Sequence, residues 1–104
     1  MNEKSTASVV VKPYDKDGNA ATPNSMTYRI DCLTSGNSVK TETILTPATS
    51  VTITITPTEN AMQVATNDYE IKEVTVTSEF NPTPGVDTLI ETHKYRVQNL
   101  NAVT

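Results

Sequence analysis

The chain has 104 residues, a formal net charge of −4 and a hydrophobic content of 36%. This length suits one domain, which we expect to span residues 1–104 with a core of about residues 6–100 and short terminal arms. The Lys and Arg residues are scattered, which argues against nucleic-acid binding, and Cys32 stands alone, which excludes an intrachain disulfide framework.

Threonine dominates the composition with nineteen residues, and its β-branched side chain favours strands. No window has a sustained helical period. Six strand candidates are separated by turn residues; in chain order they lie at residues 6–12, 25–34, 38–45, 50–56, 69–80 and 87–99. This spacing predicts an all-β, two-sheet antiparallel sandwich of six to seven strands.

The first two strands are divided by a turn-rich segment. Pro13 ends the first strand, and Gly18 in the following turn can take a positive φ. The second strand places Cys32 in its apolar phase, so we expect Cys32 to be buried as a small hydrophobe. Residues 35–37 then signal a tight hairpin into the third strand.

The fourth strand, residues 50–56, alternates apolar and hydroxyl side chains without a break. One face is therefore dry and the other wettable, as in a strand that covers a core on one side. The hydroxyl face carries no charge to prevent pairing with another chain. Either the strand is central in its sheet, which is the favoured interpretation, or its outer face meets a partner.

The last two strands are longer and follow a polar crossing at residues 57–68, in which residues 61–64 are candidates for an apolar plug. Ile71 is out of phase with the valines that follow it. Either a β-bulge shifts the register or Ile71 faces a neighbouring element. In the final strand, Tyr95 and Val97 are expected to face inward.

The loop after the first strand contains a candidate cation site. Asp15, Asp17 and Asn19 have the spacing of the first ligands of a calcium loop. The loop glycine is displaced to Gly18, however, and Met26 stands where the bidentate Glu should be. We therefore interpret the loop as an ordinary turn.

Two groups of ionisable residues have spacings that acid–base sites use. Glu91, His93 and Tyr95 share one face of the last strand, but the strand period produces such coincidences and His93 has no histidine or cysteine partner. A carboxylate pair for glycoside hydrolysis could come from Asp68, Glu70 and Glu73. No Trp is present to hold a sugar. We predict no catalytic, cofactor-binding or metal-binding residues, no cofactor and no enzymatic activity.

Three stretches, taken in their order and spacing, resemble one family. They are the turn Asp17-Gly18-Asn19 followed by residues 26–31, the strand at residues 47–55, and residues 67–70 running into residues 73–76. They resemble the small immunoglobulin-like or fibronectin type III-like structural proteins of tailed bacteriophages. The Trp and paired Cys of antibody domains are absent, and Tyr69 stands where a tyrosine corner could form.

The resemblance implies an immunoglobulin-like sandwich that serves as a non-enzymatic virion component. The first choice is a capsid decoration or accessory protein; a tail or neck component is the first alternative, and a cell-surface or carbohydrate-binding module is the second. The implied partners are other virion proteins and possibly the chain itself, with no nucleic acid, membrane or small-molecule substrate. The expected location is the virion, assembled in the host cytoplasm, since the chain shows no export signal or membrane-spanning run.

Overall fold

The computed structural model describes residues 4–64, 66–83 and 85–99, and these residues form six antiparallel strands. In chain order the strands are β1 (Ala7–Val11), β2 (Ser25–Cys32), β3 (Ser38–Leu45), β4 (Val51–Ile55), β5 (Tyr69–Glu79) and β6 (Thr88–Gln98). All six predicted strands are confirmed, each end lying within two residues of the prediction. Nowhere in these ranges is there a helix that could cross a membrane. The terminal arms, apart from Lys4 and Ser5, lie outside the described residues.

The strands form a two-stranded sheet of order β1-β4 and a four-stranded sheet of order β3-β2-β5-β6. This arrangement confirms the predicted all-β sandwich. It matches the central strands of an immunoglobulin-like sandwich, with β1 and β4 at positions B and E and with β3, β2, β5 and β6 at positions C′, C, F and G. Within the described ranges, no strand occupies position A, beside β1, or position D, beside β4.

The inward faces of the two sheets meet in one hydrophobic core. Val51, Ile53 and Ile55 of β4 point inward and are at most 9% exposed, while the intervening threonines are exposed. Each buried Val or Ile stabilises the fold by about 1.5–3 kcal/mol, so the alternation of this one strand contributes much to a small core. Cys32 is buried, as predicted. The other buried members of the core are Val11, Met26, Tyr28, Ile30, Val74 and Val76.

The two-stranded sheet covers only the two central strands of the four-stranded sheet. The inward side chains of β2 and β5 are at most 6% exposed. Most inward side chains of the two outer strands are only half-buried; they are Leu89, Glu91, His93 and Tyr95 on β6 and Val39, Thr43 and Leu45 on β3. The outer strands therefore project beyond the sheet that packs on them.

The structure corrects two expectations and excludes one of the two alternatives for Ile71. β4 is not a central strand, because it pairs only with β1 in a two-stranded sheet. No bulge moves Ile71, since β5 pairs with β6 in unbroken register and Ile71 lies opposite Arg96 on the outer face. Tyr69 does not form a tyrosine corner: its ring packs against the Arg96 guanidinium, 4.6 Å from the ring centroid.

Candidate functional site

The acidic loop after β1 is a turn held together by Asp15. Its Oδ1 atom accepts hydrogen bonds from the backbone N–H groups of Asp17 and Asn19, both at 3.0 Å. Gly18 has a φ of 83°, in the left-handed region that glycine tolerates. The interpretation of this loop as a turn is confirmed. In the described part of the chain, no three His, Cys, Asp or Glu residues come together as a metal site would require.

Glu91, His93 and Tyr95 share the inward face of β6, as the strand period predicts. His93 Nε2 lies 3.7 Å from Glu91 Oε2, too far for a hydrogen bond. The Tyr95 hydroxyl points elsewhere and donates to Oδ1 of Asn60 at 3.0 Å. The three residues therefore do not form an acid–base set. Among the described residues, His93 Nε2 is left as a shielded nitrogen without a hydrogen-bond partner.

The structure separates the three carboxylates at the start of β5: Asp68 is exposed just before the strand, Glu70 faces inward and Glu73 faces outward. Glu70 is fully buried. Its carboxylate accepts hydrogen bonds from the backbone N–H groups of Gln63 and Val64, at 2.7 and 2.8 Å, and from Nδ2 of Asn67 at 3.2 Å. These donors replace the water lost on burial, so Glu70 anchors the connection between β4 and β5.

Lys72, the next inward residue of β5, is also fully buried. Its Nζ atom donates to the backbone carbonyls of Glu59 and Ala61, at 2.8 and 2.5 Å. Burial lowers the pKa of Lys72, and the charge of Glu70 partly opposes that shift. Through these two hydrogen bonds, the ammonium group holds the β4–β5 connection against the inward face of β5.

Asn60 lies between the two carbonyls that receive Lys72 and is buried as well. Its Nδ2 atom donates to the backbone carbonyl of Ser5 at 2.6 Å, while its Oδ1 atom accepts from Tyr95. Burial raises the pKa of Tyr95 to about 12, with a smaller contribution from Glu59, so the hydroxyl remains a donor at neutral pH. Asn60 therefore joins the start of β1 to β6.

The β4–β5 connection is held by these polar bonds and not by an apolar plug. Residues 61–64 have half-buried or exposed side chains, and their backbone makes the contacts with β5. Sequence analysis overlooked one signal, the Thr-x-x-Glu pattern of a capping box. The Glu59 carboxylate accepts from the Thr56 N–H at 2.8 Å, and the Glu59 N–H donates to the Thr56 hydroxyl at 3.3 Å.

Two hydrogen-bonded links join the segments that flank β1 to the β6 region. At one end, Asn60 links the carbonyl of Ser5, just before β1, to the hydroxyl of Tyr95. At the other end, the backbone N–H of Lys16, beyond β1, donates to Oδ2 of Asp87, just before β6, at 3.4 Å. The inward side chains of β6 between these links are half-buried; they are Leu89, Glu91, His93 and Tyr95.

The edges of the two sheets differ in charge. β1 and β4 contain no charged residue, and within the described part of the chain each is paired on one side only. The outer strands of the four-stranded sheet carry charges: Lys40 and Glu42 on β3, and Glu91, Lys94 and Arg96 on β6. The β2–β3 pairing is also irregular on either side of Ile30. Proteins protect free edges with charges and bulges, so the two-stranded sheet has the less protected edges.

A scan against protein-family models, a search of curated proteins and a search of solved structures each returned no match. Function is therefore inferred from the fold and from the chemistry of the surface. The resemblance to bacteriophage structural proteins stays a prediction.

Proposed function

We propose that this protein is a non-enzymatic structural subunit of a tailed bacteriophage virion, with capsid decoration or an accessory capsid role as the first choice. The observation that carries the proposal is the two-stranded sheet, whose two edges are uncharged and have no strand partner among the described residues. Its outer face bears the exposed hydroxyls of Thr52 and Thr54. An open edge of this kind can accept a strand from another protein. The virion as the assembly rests on the sequence resemblance.

The buried polar residues support a structural role. Glu70, Lys72 and Asn60 direct their side chains to the protein's own backbone, and each makes at least two hydrogen bonds. Buried groups satisfied in this way stabilise a loop and are not free to bind a substrate. The same contacts hold the connection that closes one end of the sandwich.

Copy number would supply the binding strength of such a subunit. One short strand buries less than the roughly 1,200 Å² at which stable interfaces begin. Many weak contacts on one particle act together, since each attachment raises the effective concentration of the next. A small domain with open edges is suited to this use.

Mass spectrometry of intact, purified particles of the phage that encodes the chain tests the proposal. The chain is expected at a constant copy number per major capsid subunit, and the ratio should persist after a second purification by density gradient. Detection of the chain on tails separated from heads would instead assign the protein to the tail or neck. Absence from intact particles would remove the virion assignment.

A further inference from the structure

We propose that Lys72 and Asn60 form a covalent cross-link in the folded protein, an amide bond between the side-chain nitrogen of Lys72 and the side-chain carbonyl carbon of Asn60. The inference goes beyond the proposed virion role and does not depend on it. Three side chains carry it: the amine of Lys72 and the carboxamide of Asn60, both fully buried, and the hydroxyl of the partly buried Tyr95.

The fold brings these three side chains together. Lys72 and Tyr95 lie directly opposite each other on β5 and β6, and both face inward. Lys72 Nζ is 2.8 Å from the carbonyl oxygen of Glu59 and 2.5 Å from that of Ala61. These two residues flank Asn60 in the chain, and the Tyr95 hydroxyl is 3.0 Å from Oδ1 of Asn60. Bond formation requires Nζ to turn from the Ala61 carbonyl to Cγ of Asn60, a movement that the flexible stem of a Lys side chain permits.

Burial prepares the amine of Lys72 for attack. Only the neutral amine is a nucleophile, and burial lowers the pKa of Lys72, although the charge of Glu70 partly opposes that shift. The ammonium form keeps a positive charge away from water, which is costly. Formation of a neutral amide removes that buried charge, so the surroundings of Lys72 favour the linked product.

The carboxamide of Asn60 is oriented for the reaction. Its oxygen accepts a hydrogen bond from the Tyr95 hydroxyl, and such a donor stabilises the negative charge that develops on a carbonyl oxygen under attack. The pKa of Tyr95 is raised to about 12, so the donor is present at neutral pH. The leaving nitrogen, Nδ2, donates to the Ser5 carbonyl at 2.6 Å. Full burial of Asn60 limits the competing hydrolysis by water.

The reaction balances as an exchange of one amine for another. Nζ of neutral Lys72 bonds to Cγ of Asn60, and the carbonyl electron pair moves to Oδ1. One proton passes from Nζ to Nδ2, the Cγ–Nδ2 bond breaks, and the carbonyl re-forms as ammonia leaves. The product is a secondary amide that ties the β4–β5 connection to β5. No atom changes its oxidation state, so no oxidant is needed.

The mass of the intact, denatured full chain tests the inference. After folding and prolonged incubation at neutral pH, the chain should be lighter than its sequence by one ammonia. Proteolysis after glutamate releases residues 60–70 and 71–73 as separate peptides from an unlinked chain, whereas a linked chain should yield them joined as one branched peptide. A full intact mass, or recovery of the two peptides only as separate species, would overturn the inference.

Matched lysine substitutions identify the nucleophile. Lys72→Arg keeps a cationic donor near the two carbonyls but cannot form the amide, so the loss of ammonia should disappear. Lys94→Arg, on the exposed face of β6, should retain it. Loss of ammonia that persists in Lys72→Arg would contradict the proposal, because Asn60 would then react with another group. If Lys72→Arg fails to fold, the branched peptide of the unsubstituted chain decides the question.

A time course after cell-free synthesis tests the part assigned to the Tyr95 hydroxyl. Tyr95→Phe keeps the ring but removes the donor to Oδ1 of Asn60, so the cross-link should form at least about tenfold more slowly. Tyr14→Phe, whose ring is largely exposed, should leave the rate unchanged. Equal rates in the two variants would contradict the role of Tyr95. None of these outcomes depends on whether the chain is found in virions, so either proposal can fail alone.

Discussion

At the scale of single residues, buried polar groups determine one end of the sandwich. Glu70, Lys72 and Asn60 are each fully buried, and each is bonded to backbone groups in the β4–β5 connection or at the start of β1. Burial of an unpaired charge is costly, so these residues are tolerated because their partners are in place. Because each side chain depends on these hydrogen-bond partners, we expect substitution of any of the three residues to lower the stability of the fold.

Lys72→Met should destabilise the protein by about 3 kcal/mol, because it keeps the side-chain length but leaves the carbonyls of Glu59 and Ala61 buried without a donor. Chemical denaturation measures the free energy of unfolding. The control is Lys94→Met, whose ammonium is largely exposed and 4.0 Å from Glu73, and which should change stability by less than about 0.5 kcal/mol. Equal effects in the two variants would show that Lys72 does not hold the connection.

Glu59 makes stability sensitive to acid. Burial acts to raise the pKa of Glu59, but the N–H and hydroxyl of Thr56 and the ammonium of Lys40 outweigh burial and lower it. A lowered folded-state pKa means that the carboxylate stabilises the fold above its ordinary pKa of 4.5. That stability is lost as the pH falls through the folded-state value.

Glu59→Gln should therefore cost about 1–2 kcal/mol at pH 7, and the difference from the unsubstituted chain should shrink below pH 4.5. Unfolding free energies from pH 7 to pH 3 check this, with Glu42→Gln on the exposed face as the control. A difference that stays constant over this range would contradict the assigned protonation linkage.

At the scale of elements, local sequence was sufficient to find the strands. The alternation in β4 and the proline, glycine and asparagine residues between segments predicted all six strands, and β3 was predicted with its observed ends. Side-chain period and turn chemistry are local properties, which is why they can be read without knowing the partners. The turn at Asp15 was predicted for the same reason.

Pairing partners and buried charges were not predictable in this way. The hydroxyl alternation of β4 is equally compatible with a central strand and with a strand paired on one side, because it records which face is wet and not how many neighbours are bonded. Glu70 and Lys72 follow the inward phase of β5, but charged residues in that phase ordinarily suggest solvent. Their burial is explained by the hydrogen-bonding groups of the β4–β5 connection, whose irregular conformation no side-chain period reveals.

At the scale of the whole molecule, the defining property is the unequal width of the two sheets. The two-stranded sheet packs on a sheet of four strands, so the inward faces of the two outer strands, β3 and β6, are left half-buried. The edge of β1 carries no charge and has no second strand partner among the described residues. The proposed role as an assembly subunit would use this open edge.

Amide hydrogen exchange of the unextended chain tests most directly whether that edge is open. Measured at a concentration where sedimentation shows a monomer, the N–H groups of β1 should alternate, with those paired to β4 protected and those directed away from it close to unprotected. The amides of β5 from Lys72 to Glu79, where the strand is paired on both sides, should be protected throughout. Uniform protection along β1 would show that the edge is already closed, and uniform loss of protection would show that β1 and β4 are not paired; either result would contradict the account.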